Sequence, residues 1–117
     1  MILFKSDGVN IKVLTPELAL ILYRLETFHR LKLVPMPDDL VITSINDSTH
    51  GIDSKHYKNQ AIDIRSHNFD SIGHKQLFRK EFERVLGSEI YTVLLEDEGG
   101  ANEHFHVQLK KGLTNGI

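Results

Sequence analysis

Two short stretches of the sequence contain residue types that bind metal ions. The first holds His56 and Asp63, and the second, about forty residues later, holds Glu103, His104 and His106. Imidazole and carboxylate groups are zinc ligands, and a catalytic zinc keeps three protein ligands and an open position for water. A further carboxylate then takes the proton of that water. The two stretches predict a zinc site if the fold brings them together.

Two helices are predicted by cap residues and by apolar residues at helical spacing. The first begins after Thr15 as N-cap, has Pro16 at its first position, and extends to about Leu31. The second extends over residues 72–86, and Gly87 follows its last turn. Both helices have one apolar side, so both are expected to cover a sheet.

Strands are predicted at residues 40–44, 61–65, 89–96 and 104–109, where β-branched or alternating apolar residues recur. Residues 1–14 predict a small hairpin or an irregular lead-in around Asp7–Gly8, residues 45–55 a loop, and residues 110–117 a polar tail. The pattern indicates an α+β fold. We expect a small, mainly antiparallel sheet with two helices on one face and a zinc site on the other.

Strand alternation places the chemistry on the polar face of this sheet. It puts Asp63 and Arg65 on one side of their strand, and His104, His106 and Gln108 on one side of theirs. If these strands are neighbours, Asp63 and His106 lie close together, and His56 can complete a set of three ligands. The alternative for a His-x-His pair on a strand is a solvated surface pair without a metal.

Glu103 is the first candidate for the general base. Strict alternation directs it away from His106, so the role requires a bend after Gly99–Gly100. Glu96 is the alternative, because it ends the preceding strand near the same edge.

The length and the amino-acid composition indicate one ordinary globular domain over residues 1–117. The absence of cysteine excludes disulfides and thiolate metal sites. The net charge of -2 and the scattered basic residues argue against nucleic acid and membrane surfaces as partners. No signal peptide and no apolar run of the ~20 residues needed to span a membrane is present, so no membrane insertion is expected.

The combined motif resembles the signature of the D-Ala-D-Ala metallopeptidases. This family includes VanX-type dipeptidases, zinc D-Ala-D-Ala carboxypeptidases, phage endolysins that cleave L-Ala–D-Glu bonds and, more distantly, the hedgehog signalling domain. The resemblance covers the whole chain and is greatest to short phage-type members. It rests on Ile42-Thr43-Ser44, His50, Ser54-Lys55-His56-Tyr57, Ala61, Asp63-Ile64-Arg65 and Glu103-x-x-His106.

The resemblance implies that His56, Asp63 and His106 bind Zn²⁺ and that Glu103 is the general base. It places His104 beside a ligand, near the metal or facing the substrate, and it implies that Ser54 orients the site. Two positions depart from the family: Asn59 replaces a usual glycine, and residues 45–47 lack an arginine that holds the substrate carboxylate in many members. Arg65 and His50 are the candidates to replace that arginine.

The expected function is that of a zinc peptidase that hydrolyses peptidoglycan stem peptides, as a D-Ala-D-Ala carboxypeptidase or an L-Ala–D-Glu endopeptidase. A phage origin is expected, with a monomer in the host cytoplasm that is released to the cell wall, or a virion-associated enzyme. The alternatives are a non-catalytic zinc-binding module for structure or interaction, and a metal-free structural protein of a phage particle.

Overall fold

A five-stranded mixed sheet and two helices make up the part of the chain that the computed structural model describes, which is residues 1–5, 15–45 and 61–110. The elements are β1 (Ile2–Phe4), α1 (Pro16–Arg30), β2 (Leu40–Ile45), β3 (Ala61–Arg65), α2 (Ile72–Leu86), β4 (Tyr91–Glu96) and β5 (His104–Leu109). The strand order is β1-β2-β3-β5-β4. Only the β1–β2 pair is parallel among these strands. The predicted α+β class and mainly antiparallel sheet are confirmed.

Both helices begin at side chains that accept a hydrogen bond from the first turn. Thr15 Oγ1 accepts from Leu18 N at 3.1 Å, and Ser71 Oγ accepts from His74 N at 3.1 Å. These caps satisfy backbone donors that have no partner within a helix. Gly87 ends α2 with a φ of 107°. Neither helix of the described chain is long and apolar enough to cross a membrane.

The core lies on one face of the sheet, between the strands and both helices. Alternate strand residues and the apolar sides of the helices are buried there together. Its centre is aromatic: the ring of Phe78 on α2 lies 4.7 Å from that of Phe105 on β5 and 5.3 Å from that of Phe69. Because β3 and β5 bury alternate residues in this core, their remaining residues lie on the opposite face.

Side chains of α2 also contact the outer edge of β4. Glu83 Oε1 accepts from Val93 N at 2.9 Å, and Arg79 Nη1 donates to Val93 O at 3.5 Å. Since β5 is the neighbour of β4 on its other side, these contacts occupy main-chain groups that no strand of the described chain uses.

Three predicted boundaries differ from the structure. Strand β4 begins at Tyr91 rather than residue 89, because the amides of Ile90 and Tyr91 both bond to Gly87 O at 2.9 Å and form a turn. Strand β2 extends to Ile45. Strand β1 pairs with β2 rather than within a hairpin of residues 1–14, and residues 6–14 lie outside the described part of the chain.

Candidate metal centre

Strands β3 and β5 bring the two chemically active stretches together. Asp63 lies opposite His106 in the antiparallel register, and Arg65 lies opposite His104. All four side chains point away from the core, because the alternating residues of both strands are buried on the helix side. The condition on which the sequence argument depended, that these two strands are neighbours, is therefore met.

Asp63, His104 and His106 form a group that could hold a metal ion. One ligand atom from each lies within 4.8 Å of the others. Asp63 Oδ1 is 2.7 Å from His106 Nδ1 and 3.9 Å from His104 Nε2. The three side chains are 27%, 21% and 23% exposed, so solvent reaches the group. Two imidazoles and a carboxylate suit zinc and similar divalent metals.

The spacing of the group fits a metal after a small adjustment. Zinc bonds of about 2.0–2.1 Å in a tetrahedron place two ligand atoms roughly 3.3 Å apart. The 2.7 Å contact between Asp63 and His106 is shorter than this and is a hydrogen bond. Metal binding would therefore separate these two atoms by about 0.6 Å and replace their shared proton.

Hydrogen bonds at both ring nitrogens favour the protonated form of His106. Its Nδ1 lies 2.7 Å from Asp63 Oδ1, and its Nε2 lies 2.7 Å from Gln108 Oε1. The bond to Asp63 raises the pKa of His106 above its ordinary value; burial opposes this, while the Gln108 bond and the charges of Asp63 and Glu96 add to it. Because a metal binds the neutral imidazole, the proton competes with the metal.

His104 belongs to this group rather than only lying beside it. Its Nδ1 donates to Asn102 O at 2.7 Å, so Nε2 is the ring atom left for a metal, which would replace the proton that its contact with Glu96 Oε1 requires. That Nε2 faces Asp63 and lies 3.0 Å from Glu96 Oε1. The shared strand face of His104 and His106 was the sequence signal for this arrangement.

Glu96 is the carboxylate that the structure brings to the group. It ends β4, lies opposite His104 in the register, and its side chain is 45% exposed. Its carboxylate therefore contacts the group and is also reached by solvent.

Glu103 is not brought to the group. Its Oε1 accepts from Ser66 Oγ and Lys75 Nζ at 2.6 Å each, and its Oε2 accepts from Gly99 N at 2.9 Å. The bend that the role of general base requires does not bring this carboxylate to His106, and the side chain is directed to α2, in keeping with strand alternation. Sequence reasoning missed Lys75 and Ser66 as its partners.

The environment of Glu103 also makes it a weak base. Its side chain is 2% exposed, and burial alone would raise its pKa. The hydrogen bonds from Lys75, Ser66 and Gly99 outweigh that effect and lower the pKa to about 2. A carboxylate with so low a pKa accepts protons poorly near neutral pH.

Of the remaining residues singled out in the sequence, one lies in the described part of the chain and the others lie outside it. Arg65 lies on the same face as the metal group, and within the described ranges its guanidinium forms no hydrogen bond or ion pair. His50, Ser54, His56 and Asn59 fall outside the described residues.

Comparison of the chain with protein-family models, with curated proteins and with solved structures returned no significant match.

Proposed function

We propose that this protein is a zinc-dependent peptidase that hydrolyses peptidoglycan stem peptides. The observation that supports this most is the group of Asp63, His104 and His106 on the solvent-accessible face of the sheet. The motif resemblance supplies the substrate class, and the fold of the D-Ala-D-Ala metallopeptidases and hedgehog domains is part of the same proposal.

Asp63 and His106 are the proposed common ligands of the zinc. The third ligand is His56 by resemblance, or His104 by its place in the group. When bound, zinc would polarise the scissile carbonyl and lower the pKa of a bound water toward ~7. Asp63 would lose its hydrogen bond to His106 and serve the metal with the same oxygen.

Glu96 is the proposed proton acceptor. It stands 3.0 Å from His104 and is exposed, whereas Glu103, the candidate by resemblance, is bound to Lys75. Glu96 would take the proton of the attacking water and transfer it to the leaving amine. Glu96→Gln is expected to lower kcat by about 10²–10⁴-fold.

Arg65 is the proposed partner of the substrate carboxylate. It lies on the open face opposite His104, and the described chain provides its guanidinium with no carboxylate. A planar guanidinium can bind a carboxylate through two parallel hydrogen bonds. Arg65→Lys should therefore raise KM more than it lowers kcat.

The deciding experiment uses a synthetic stem peptide that contains both an L-Ala–D-Glu and a D-Ala–D-Ala bond. Zinc-loaded and chelator-treated proteins are incubated with it, and mass spectrometry identifies the cleaved bond. His106→Ala and Asp63→Asn should abolish cleavage, whereas His74→Ala on α2 should retain it. Failure of the zinc-loaded wild type to cleave either bond would reject the proposal.

A non-catalytic zinc-binding module is the second candidate. The observation that favours it is the position of Glu103, whose carboxylate is bound by Lys75 and Ser66 rather than free to act as a base. This alternative predicts stoichiometric zinc, a lower Tm after chelation and no hydrolysis of either bond.

A further inference from the structure

We propose that Glu103, Ser66 and Lys75 form a clamp that positions the histidines of β5 against Asp63 of β3. The clamp assigns Glu103 a positioning role in place of the catalytic one. It deepens the proposed function, because the group that it positions is the metal-binding group of the proposed peptidase.

The clamp joins three elements through a single carboxylate. Ser66 directly follows β3, Glu103 directly precedes β5, and Lys75 lies in the first turn of α2. Glu103 Oε1 accepts hydrogen bonds from both partners at 2.6 Å. The ends of the two strands that carry the metal group are therefore tied to each other and to the helix.

Burial makes the geometry of this clamp specific. Ser66 is fully buried, and the side chains of Glu103 and Lys75 are only 2% and 16% exposed. A buried ion pair is weak evidence for stability, but it tolerates few alternative arrangements. A slip of β5 by one residue would turn His104 and His106 into the core, and it would also break every bond of Glu103.

The turn between β4 and β5 extends the clamp to the ring of His104. Gly99 has a φ of 81° and donates its amide to Glu103 Oε2 at 2.9 Å. Asn102, the residue before Glu103, accepts the Nδ1 proton of His104 at 2.7 Å. Holding Glu103 thus fixes the carbonyl that sets the orientation of His104 and the direction of its Nε2.

The test compares variants of the clamp with a matched control. Lys75→Met and Glu103→Gln remove the ion pair, Ser66→Ala removes one hydrogen bond, and Lys75→Arg keeps the cation. Glu83→Gln is the control, because Glu83 also ties α2 to a strand, through Val93 N at 2.9 Å, but forms no hydrogen bond or ion pair with β3 or β5 in the described part of the chain.

The first readout is NMR of the histidine rings in the metal-free folded proteins. Lys75→Met and Glu103→Gln should shift the ring ¹⁵N signals of His104 and His106 and weaken the signature of the Asp63–His106 hydrogen bond. Ser66→Ala should do so to a smaller extent and serves as the mildest variant if the others do not fold. Lys75→Arg should restore the wild-type signals, and Glu83→Gln should leave them unchanged.

The second readout is metal binding, measured as zinc affinity and as the visible spectrum of the cobalt-loaded protein. Loss of an outer hydrogen-bonding partner of a metal site typically lowers affinity about 10- to 100-fold, and we expect that range for Lys75→Met and Glu103→Gln. Glu83→Gln should keep wild-type affinity even where it lowers stability.

Two results would overturn the clamp. Folded clamp variants that lose stability but keep wild-type histidine signals and metal affinity would leave only a structural role. A Glu103→Gln protein that keeps both but no longer hydrolyses peptide would make Glu103 the base. If wild type hydrolyses no stem peptide, the proposed function fails, yet the metal-free histidine signals still decide the clamp.

Discussion

Two clusters of polar side chains lie on opposite faces of β3 and β5. They contain similar chemical groups but differ in solvent exposure. On the open face, Asp63, His104, His106 and Glu96 contact one another but remain partly exposed to solvent. On the helix side, every oxygen of the Glu103 carboxylate has a donor and almost no solvent access. The open-face cluster can therefore rearrange around a ligand, whereas the cluster around Glu103 is restricted to one arrangement.

The largest expected contrast concerns stability. Lys75→Met leaves the buried carboxylate of Glu103 without its cation and should lower the free energy of unfolding by about 3–5 kcal/mol. Glu96→Gln, which breaks a partly exposed pair with His104, should cost at most about 1 kcal/mol. Urea unfolding monitored by circular dichroism measures both. Equal losses in the two variants would contradict the contrast.

Acid should act on the helix-side cluster. The pKa of Glu103 is lowered from 4.5 to about 2, so its contribution to stability is present above pH 4.5 and is lost as the pH falls toward 2. The free energy of unfolding of wild type should decrease over that range more steeply than that of Glu103→Gln. Parallel curves for the two proteins would show that Glu103 titrates normally.

The open-face cluster should respond to pH with the opposite sign. The pKa of His106 is raised above 6.5 by its bond to Asp63, so the stability that this bond contributes is present below pH 6.5 and is lost as the pH rises through the raised pKa. His106→Gln should lack this loss. A metal-free sample is required, and NMR titration of His106 in Asp63→Asn should give a lower pKa than in wild type.

Zinc binding should also depend on the proton of His106, because zinc and this proton compete for the same ring. Below the raised pKa of His106, zinc affinity should fall at least about tenfold per pH unit, because the proton of His106 must leave before the metal binds. Isothermal titration calorimetry in buffers with different ionisation enthalpies counts the released protons. An affinity that does not change between pH 6 and pH 8 would exclude His106 as a ligand.

A smaller loss of stability than that of Lys75→Met is expected at the turn between β4 and β5. Gly99 has a φ of 81°, so Gly99→Ala should cost about 1–2 kcal/mol and weaken the amide contact to Glu103. Gly73→Ala on α2 is the control, because its added carbon meets only Ser71 Oγ at 3.7 Å. Thermal unfolding should give a lower Tm for the first variant and no loss for the second.

Helix-cap residues and strand alternation predicted more of the described structure than the motif resemblance did. Thr15, Pro16 and Gly87 mark helix ends through their own backbone chemistry, and the structure has the helices there. Strand alternation put His104 beside His106 and turned Glu103 away from both, and the structure agrees on each count. The resemblance gave Glu103 the role of general base, whereas the structure directs its carboxylate to Lys75 and Ser66.

The pairing of strands that lie far apart in the sequence was harder to predict. The pairing of β3 with β5 was only a condition of the predicted zinc site, and nothing near Ile2–Phe4 indicates a parallel partner at β2. The partners of Glu103 were hidden because Lys75 lies 28 residues away on a helix whose polar residues all look alike in sequence.

The contacts of Glu83 and Arg79 with Val93 bear on how the protein avoids unwanted assembly. An exposed sheet edge is a template for another strand, and it invites aggregation. On β4 an incoming strand would first have to displace two charged side chains from the amide and the carbonyl of Val93. The helix that completes the core therefore also protects this edge of the sheet from recruiting a second chain.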